Sequence, residues 1–161
     1  MASYQKAREW RTTIAEQEYL ISTDLNNVSH DFVNNAYGSD DMYWAKAMPA
    51  AILRNILSNS LVMGVYALEQ VGFARFVTDH VTVYYLTDVY VAPEYRGKGL
   101  GKWLIKCCRE ILDSKPHLMR AMLMASPGEG KEFYEKNLGM RDIQEEIAEG
   151  HVLPMTRNRN T

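Results

Sequence analysis

The residues best suited to chemistry in this sequence lie in one run, Val89-Tyr90-Val91-Ala92-Pro93-Glu94-Tyr95-Arg96-Gly97-Lys98-Gly99-Leu100-Gly101-Lys102. Glycine at alternate positions removes the Cβ atoms that would keep a phosphate away from the backbone. A helix starting at such a turn adds its unpaired N–H groups and the positive end of its dipole. The run therefore predicts an anion site, suited to a pyrophosphate. Spacing excludes two other phosphate loops. The dinucleotide pattern needs glycine where Lys102 stands; the nucleotide-triphosphate loop needs glycine at Arg96 and Ser or Thr at Trp103. A bare G-x-G-x-G also reads as an ordinary connection between a strand and a helix.

Other side chains add less. Asp88 lies in an otherwise apolar strand, Leu86 to Val91, where an acid is costly unless it is paired or useful. The run Tyr37-Gly38-Ser39-Asp40-Asp41-Met42-Tyr43-Trp44-Ala45 sets aromatic beside acidic groups and could clamp a cationic or aromatic amine. It reads equally as a solvated Asp40-Asp41 turn with Tyr43-Trp44 packing between helices. Cys107 and Cys108 are neighbours, unsuited to a structural bridge, and read as buried packing residues. The four histidines are scattered, so no metal site is expected.

The elements that must hold these groups follow from periodicity. Glu18 to Leu25 reads as a first strand, and a helix capped at Asn26-Asn27 carries Val28, Phe32 and Val33 to an end near Tyr37-Gly38. A second helix starts at Pro49 and places Ile52, Leu53, Ile56 and Leu57 on one face. Leu61 to Leu68 and Val71 to Val77 read as a hairpin, and Val81 to Val91 as a third strand. The strongest helix follows the glycine turn, with Leu100, Trp103, Leu104, Cys107, Cys108, Ile111 and Leu112 as its apolar stripe. Leu118 to Met124 reads as a buried strand, Gly130 to Leu138 as a helix ended by Gly139, and Met140 onward as one or two final strands. Along the third of these strands, alternation puts Tyr85, Thr87 and Val89 on one face and Leu86, Asp88 and Tyr90 on the other, unless a bulge reverses them.

A chain of 161 residues with 47% hydrophobic and 24% charged residues has the composition of one globular domain, here 1–155, with 156–161 as a polar tail. A net charge of -2 gives no reason to expect nucleic acid or an anionic membrane as partner. No apolar stretch approaches bilayer length, and Met1 to Arg11 is polar, so a cytoplasmic location is expected.

Arg96-x-x-Gly99-x-Gly101 after a strand ending Val91-x-Pro93 resembles the coenzyme A loop of the GNAT N-acetyltransferase superfamily. Phe133-Tyr134-Glu135-Lys136-Asn137-Leu138-Gly139-Met140 resembles the late helix of that family, and the element order agrees. The resemblance covers Leu61 to Met140, about half the chain. It implies the α/β (α+β) GNAT fold, a mixed central sheet of about six to seven strands flanked by about four helices. It implies acetyl-CoA as cosubstrate and no metal. Backbone groups of Val89, Tyr90 and Val91 would pair with the pantetheine arm and hold the acetyl carbonyl. The N–H groups of Gly97, Lys98, Gly99, Leu100, Gly101 and Lys102 would bind the pyrophosphate, with Arg96 bracing the loop.

By the same resemblance, Tyr134 would protonate the departing thiolate, its other reading being a core aromatic. Asp88 would be the base or a structural hydrogen-bond partner, and Tyr37, Tyr43 and Trp44 would line the acceptor side. The chain departs from the family at Ser126-Pro127-Gly128-Glu129, where many members carry a coenzyme-binding asparagine, and in one extra residue between Tyr134 and Gly139. Thr87 stands where polyamine acetyltransferases resemble Leu-Glu-Asp with a glutamate. The reaction implied is direct attack of a small-molecule primary amine on the acetyl thioester, by a monomer or homodimer. A CoA-binding sensor or scaffold and a protein N-acetyltransferase are the alternatives.

Overall fold

Strand-like alternation gives way to helical spacing and returns to it, and the computed structural model, which describes residues 6–148, 150 and 155, follows these changes. The chain packs as two units, Met1–Met124 and Ala125–Thr161. In the first, β1 (Glu9–Ile14), β2 (Gln17–Ser22), β3 (Leu61–Tyr66), β4 (Gln70–Thr78), β5 (Val83–Val91) and β6 (Arg120–Leu123) form one sheet in sequential order. Neighbours from β1 to β5 are antiparallel, while β5 and β6 are parallel. A parallel pair needs a crossover, and α3 (Leu100–Asp113) supplies it; α1 (His30–Tyr37) and α2 (Ala50–Ser58) lie between β2 and β3. The α/β class and mixed six-stranded sheet agree with the sequence expectation.

Helices cover both sheet faces because neighbouring strand residues point opposite ways. Val62 joins Val33, Tyr37, Leu53, Leu57 and Phe73 in the core beneath α1 and α2. Met63, one residue on, meets Cys108 of α3, the sulfurs 3.5 Å apart. α3 buries Leu100, Leu104, Ile105, Cys107, Cys108, Ile111 and Leu112, an apolar stripe at helical spacing. Burial pushes the Cys107 thiol up to about 12, which suits packing rather than reactivity.

Several boundaries differ from the sequence reading. The segment expected to be the first strand is the second, because β1 precedes it and pairs from Glu9↔Ser22 to Ile14↔Gln17. The turn joining them uses Ala15 and Glu16 with φ of 47° and 67°. Two-residue hairpin turns want such angles and usually take Asn-Gly, so Ala-Glu gave no turn signal. Asp24 caps a short 3₁₀ turn, Leu25–Asn27, and the cap of α1 is Ser29, whose hydroxyl accepts from Phe32 N–H at 3.2 Å. β6 is a partly exposed edge strand rather than a buried one.

In the second unit, α4 (Glu129–Leu138) ends at Gly139 in the left-handed conformation, as its sequence predicts. After it comes α5 (Ile143–Ala148), where final strands were expected. Gln, Glu and Ala favour a helix there, and Asp142 accepts from the Gln144 N–H at 2.9 Å. The tail 156–161 lies outside the described residues. Among the described residues no helix is long and apolar enough to cross a membrane.

Candidate active site

The glycine run connects β5 to α3 through a 3₁₀ turn, Pro93–Tyr95. Gly97 and Gly99 have φ of 76° and 85°, the left-handed region that resists side chains. Gly99 is the helix N-cap and offers no capping side chain. The first helical hydrogen bond is Trp103 N–H to Gly99 carbonyl, 3.0 Å, so the N–H groups of Leu100, Gly101 and Lys102 precede the intrahelical ladder. Gly101 differs from the other two. Its φ is not positive, and a Cβ there would meet nothing within 4 Å beyond its chain neighbours and the backbone of its own helix. The fold requires glycine at 97 and 99 but makes no such demand at 101.

The strand leading into this turn runs past its neighbour. β5 pairs with β6 only from Val83↔Arg120 to Leu86↔Leu123, so Thr87 to Val91 extend beyond that ladder. On its other side β5 carries a bulge: Phe73 faces Tyr90 while Arg75 faces Thr87, leaving two β4 steps against three in β5. Asp88 sits in the bulge at φ 55°. Directly opposed residues share a face, as do Phe73 and Arg75, so Thr87 and Tyr90 lie on the same side. This corrects the simple alternation, which separates them.

The bulge turns Asp88 into a four-donor acceptor. Its carboxylate receives Arg75 Nε at 2.6 Å and Tyr37 hydroxyl at 2.8 Å on one oxygen, and Trp44 Nε1 at 3.1 Å and Thr87 hydroxyl at 3.2 Å on the other. A carboxylate has about four acceptor sites, and these partners fill them. Asp88 is 5% exposed, and Arg75 pairs with it while also donating to the Ser60 hydroxyl at 3.0 Å. Burial, then the Asp88 charge, raises the Tyr37 phenol above its ordinary value, keeping it a donor.

Two of the three residues read as acceptor-side thus meet Asp88, and Tyr43 joins them by stacking edge-on against Trp44, ring centres 5.1 Å apart. Met42, 1% exposed, pins this segment, whereas Tyr43 is 88% and Trp44 51% exposed. Arg96 links the same segment to the glycine turn. Its Nε donates to the Val91 carbonyl and its second guanidinium nitrogen pairs with Asp41, both at 2.8 Å, with the guanidinium 5.6 Å from the Tyr90 ring centre. Lys98 lies over Tyr95 at 4.8 Å.

Sequence reasoning did not single out Arg75, and it read Asp41 only within the acidic and aromatic run, not as a partner of Arg96. The signal for Arg75 was present: one charged residue in each of two apolar strands, Arg75 and Asp88, suggests that the two pair. Tyr134 stands on α4 in the second unit, half-buried and edge-on to Phe133 at 5.2 Å. A separate cleft on the β1–β2 side, lined by Arg11, Thr13, Glu18, Tyr19 and Ala67, shares no residue with these groups.

With this geometry in hand, known proteins give the chain its place. Residues 62–137 match the family model described as "Acetyltransferase (GNAT) domain". A Gibberella zeae protein named "Putative acetyltransferase FG08082" is 35% identical over 90% of this chain and 89% of its own length. The pig protein named "Thialysine N-epsilon-acetyltransferase" is 42% identical, over 41% of this chain and 38% of that protein. Among solved structures, a Xanthomonas campestris protein described as belonging to the GNAT family aligns at 28% identity with a TM-score of 0.69, covering 88% of this chain and 93% of that one. A Streptococcus pneumoniae GNAT-family protein, 18% identical with a TM-score of 0.61, shares the fold over 96% of this chain and 99% of its own. The bulged strand and the glycine turn both lie within the stretch that matches the acetyltransferase model. The chain belongs to the GNAT acetyltransferase family.

Proposed function

We propose that the chain transfers an acetyl group from acetyl-CoA to a primary amine of a small molecule by direct attack in a ternary complex. The observation that carries this reading is Gly101, a glycine the fold does not require, in the first turn of a helix whose leading N–H groups precede the ladder. The N–H groups of Gly97 to Lys102 hold the pyrophosphate, with Arg96 bracing the turn. The part of β5 beyond β6, Val89 to Val91, offers backbone partners to the amide-rich pantetheine arm, as a strand edge does to a peptide. The coenzyme brings the acetyl thioester.

The chain's own residues then do three things. A backbone N–H of Val89 to Val91 stabilises the negative oxygen that develops on the carbonyl. Tyr134 gives a proton to the sulfur as the C–S bond breaks and the N–C bond forms. Asp88, read from sequence as base or structural partner, takes the second role: its four donors leave no site for an amine proton, which departs to water. It holds Trp44 and Tyr37, with Tyr43 stacked beside them, as the aromatic wall of the acceptor side. The thialysine name of the pig relative puts a lysine-like side-chain amine first among acceptors.

A free-thiol assay with acetyl-CoA across thialysine, lysine, polyamines and arylamines tests this. Thiol release with one amine class is the expected result. Coenzyme binding without turnover on any amine, including a lysine-containing peptide, would replace the reading with a CoA-binding sensor.

A further inference from the structure

The ion pair between Arg96 and Asp41 ties together two segments with different tasks. Arg96 opens the glycine turn, and Asp41 lies 55 residues earlier in the aromatic segment between α1 and α2. Both side chains are nearly half exposed, at 44% and 45%, so each can change partners without crossing a packed core. Asp41 also precedes buried Met42 and exposed Tyr43 and Trp44 in sequence, an anion in the same short segment as open aromatic rings. That combination suits an ammonium group.

Resting on the donor site read above, we propose that Arg96 is a cation shared between Asp41 and the coenzyme pyrophosphate, so that donor binding frees Asp41 to meet the acceptor amine. The Arg96 Nε stays on the Val91 carbonyl, which fixes the guanidinium beside the turn. A pyrophosphate on Gly97 to Lys102 brings at least two negative charges to the same guanidinium. It competes with the single charge of Asp41, and forked phosphate contacts favour the newcomer. Once released, Asp41 is an unpaired carboxylate at the acceptor side, present only when the donor is loaded. Binding of donor and exposure of an acceptor carboxylate are thereby linked, and linkage works in both directions. The Arg96–Asp41 pair weakens coenzyme binding by the amount needed to break it, which for an exposed pair is a factor of about two to five.

Calorimetric titration of CoA into wild-type protein, Asp41→Asn, Asp40→Asn, Arg96→Met and the Arg96→Met/Asp41→Asn double variant tests this. Asp40 carries the same charge next door but makes no ion pair among the described residues, so its variant controls for general electrostatics. The expected result is CoA binding about two- to five-fold tighter in Asp41→Asn than in wild type. Asp40→Asn should bind like wild type, and Asp41→Asn should bring no gain once Arg96 is gone. Equal or weaker binding by Asp41→Asn overturns the inference, as does an equal gain in Asp40→Asn or a gain that survives removal of Arg96. Failure of the wild-type protein to bind CoA overturns the donor-site reading with it, whereas CoA binding that is indifferent to Asp41 overturns this inference alone.

Discussion

The proposed donor turn, 91–102, and the proposed acceptor segment, 37–45, lie in the same unit and touch through Arg96 and Asp41, yet they are built differently. The turn works through backbone: left-handed glycines, leading N–H groups and a strand end that outruns its neighbour. The acceptor segment works through side chains brought from four places, Tyr37, Trp44, Arg75 and Thr87, onto one carboxylate. Backbone sites are coded locally, because conformation depends mostly on the residues that adopt it. Side-chain clusters are coded by register and packing at long sequence separation.

If that contrast holds, the turn can be broken without harm to the fold, and the acceptor segment cannot. Gly101→Leu gives the largest effect. With open space around Gly101, the variant should melt no lower than wild type, while CoA affinity falls by about 100-fold or more from the loss of two or more charged hydrogen bonds. Calorimetry and thermal denaturation on the same sample check both halves. Next in size is Tyr134→Phe, which should lower kcat by about 100-fold and leave CoA affinity unchanged, as general-acid removal does.

Asp88→Asn tests the acceptor side. It leaves the Arg75 guanidinium, 16% exposed, without its anion and should cost about 3 kcal/mol in chemical denaturation. Its activity should fall by a similar factor at every pH; a loss confined to neutral pH would restore Asp88 as the base. The smallest effect concerns Tyr37. Its folded-state value is raised, so its contribution to stability is complete below its ordinary value of 10 and is lost as pH climbs above it. Urea midpoints at pH 8 and pH 11 should therefore fall further for wild type than for Tyr37→Phe.

The same contrast explains what the sequence could disclose. α3, α4 and β3 to β5 were legible because their apolar spacing is strong and their ends carry Gly or Pro. The glycine turn was legible with them, although its three glycines read alike and only Gly97 and Gly99 adopt positive φ. β1 was missed because Ala15-Glu16 takes a turn that those residues rarely signal. α5 was missed because Met140 onward was read as one or two final strands, where Ile143 and Ile147, four apart, favour a helix. Asp88 was noticed for being an acid among apolar residues, but its partners depend on a bulge that no local pattern announces. Arg75 entered only through that geometry, and the pairing of Asp41 with Arg96 only through the fold.

Residues 97–102 are proposed to bind the coenzyme. A calorimetric titration of acetyl-CoA into the wild-type protein tests this most directly. One-to-one binding in roughly the micromolar range is predicted, and absence of binding at millimolar acetyl-CoA would contradict the account.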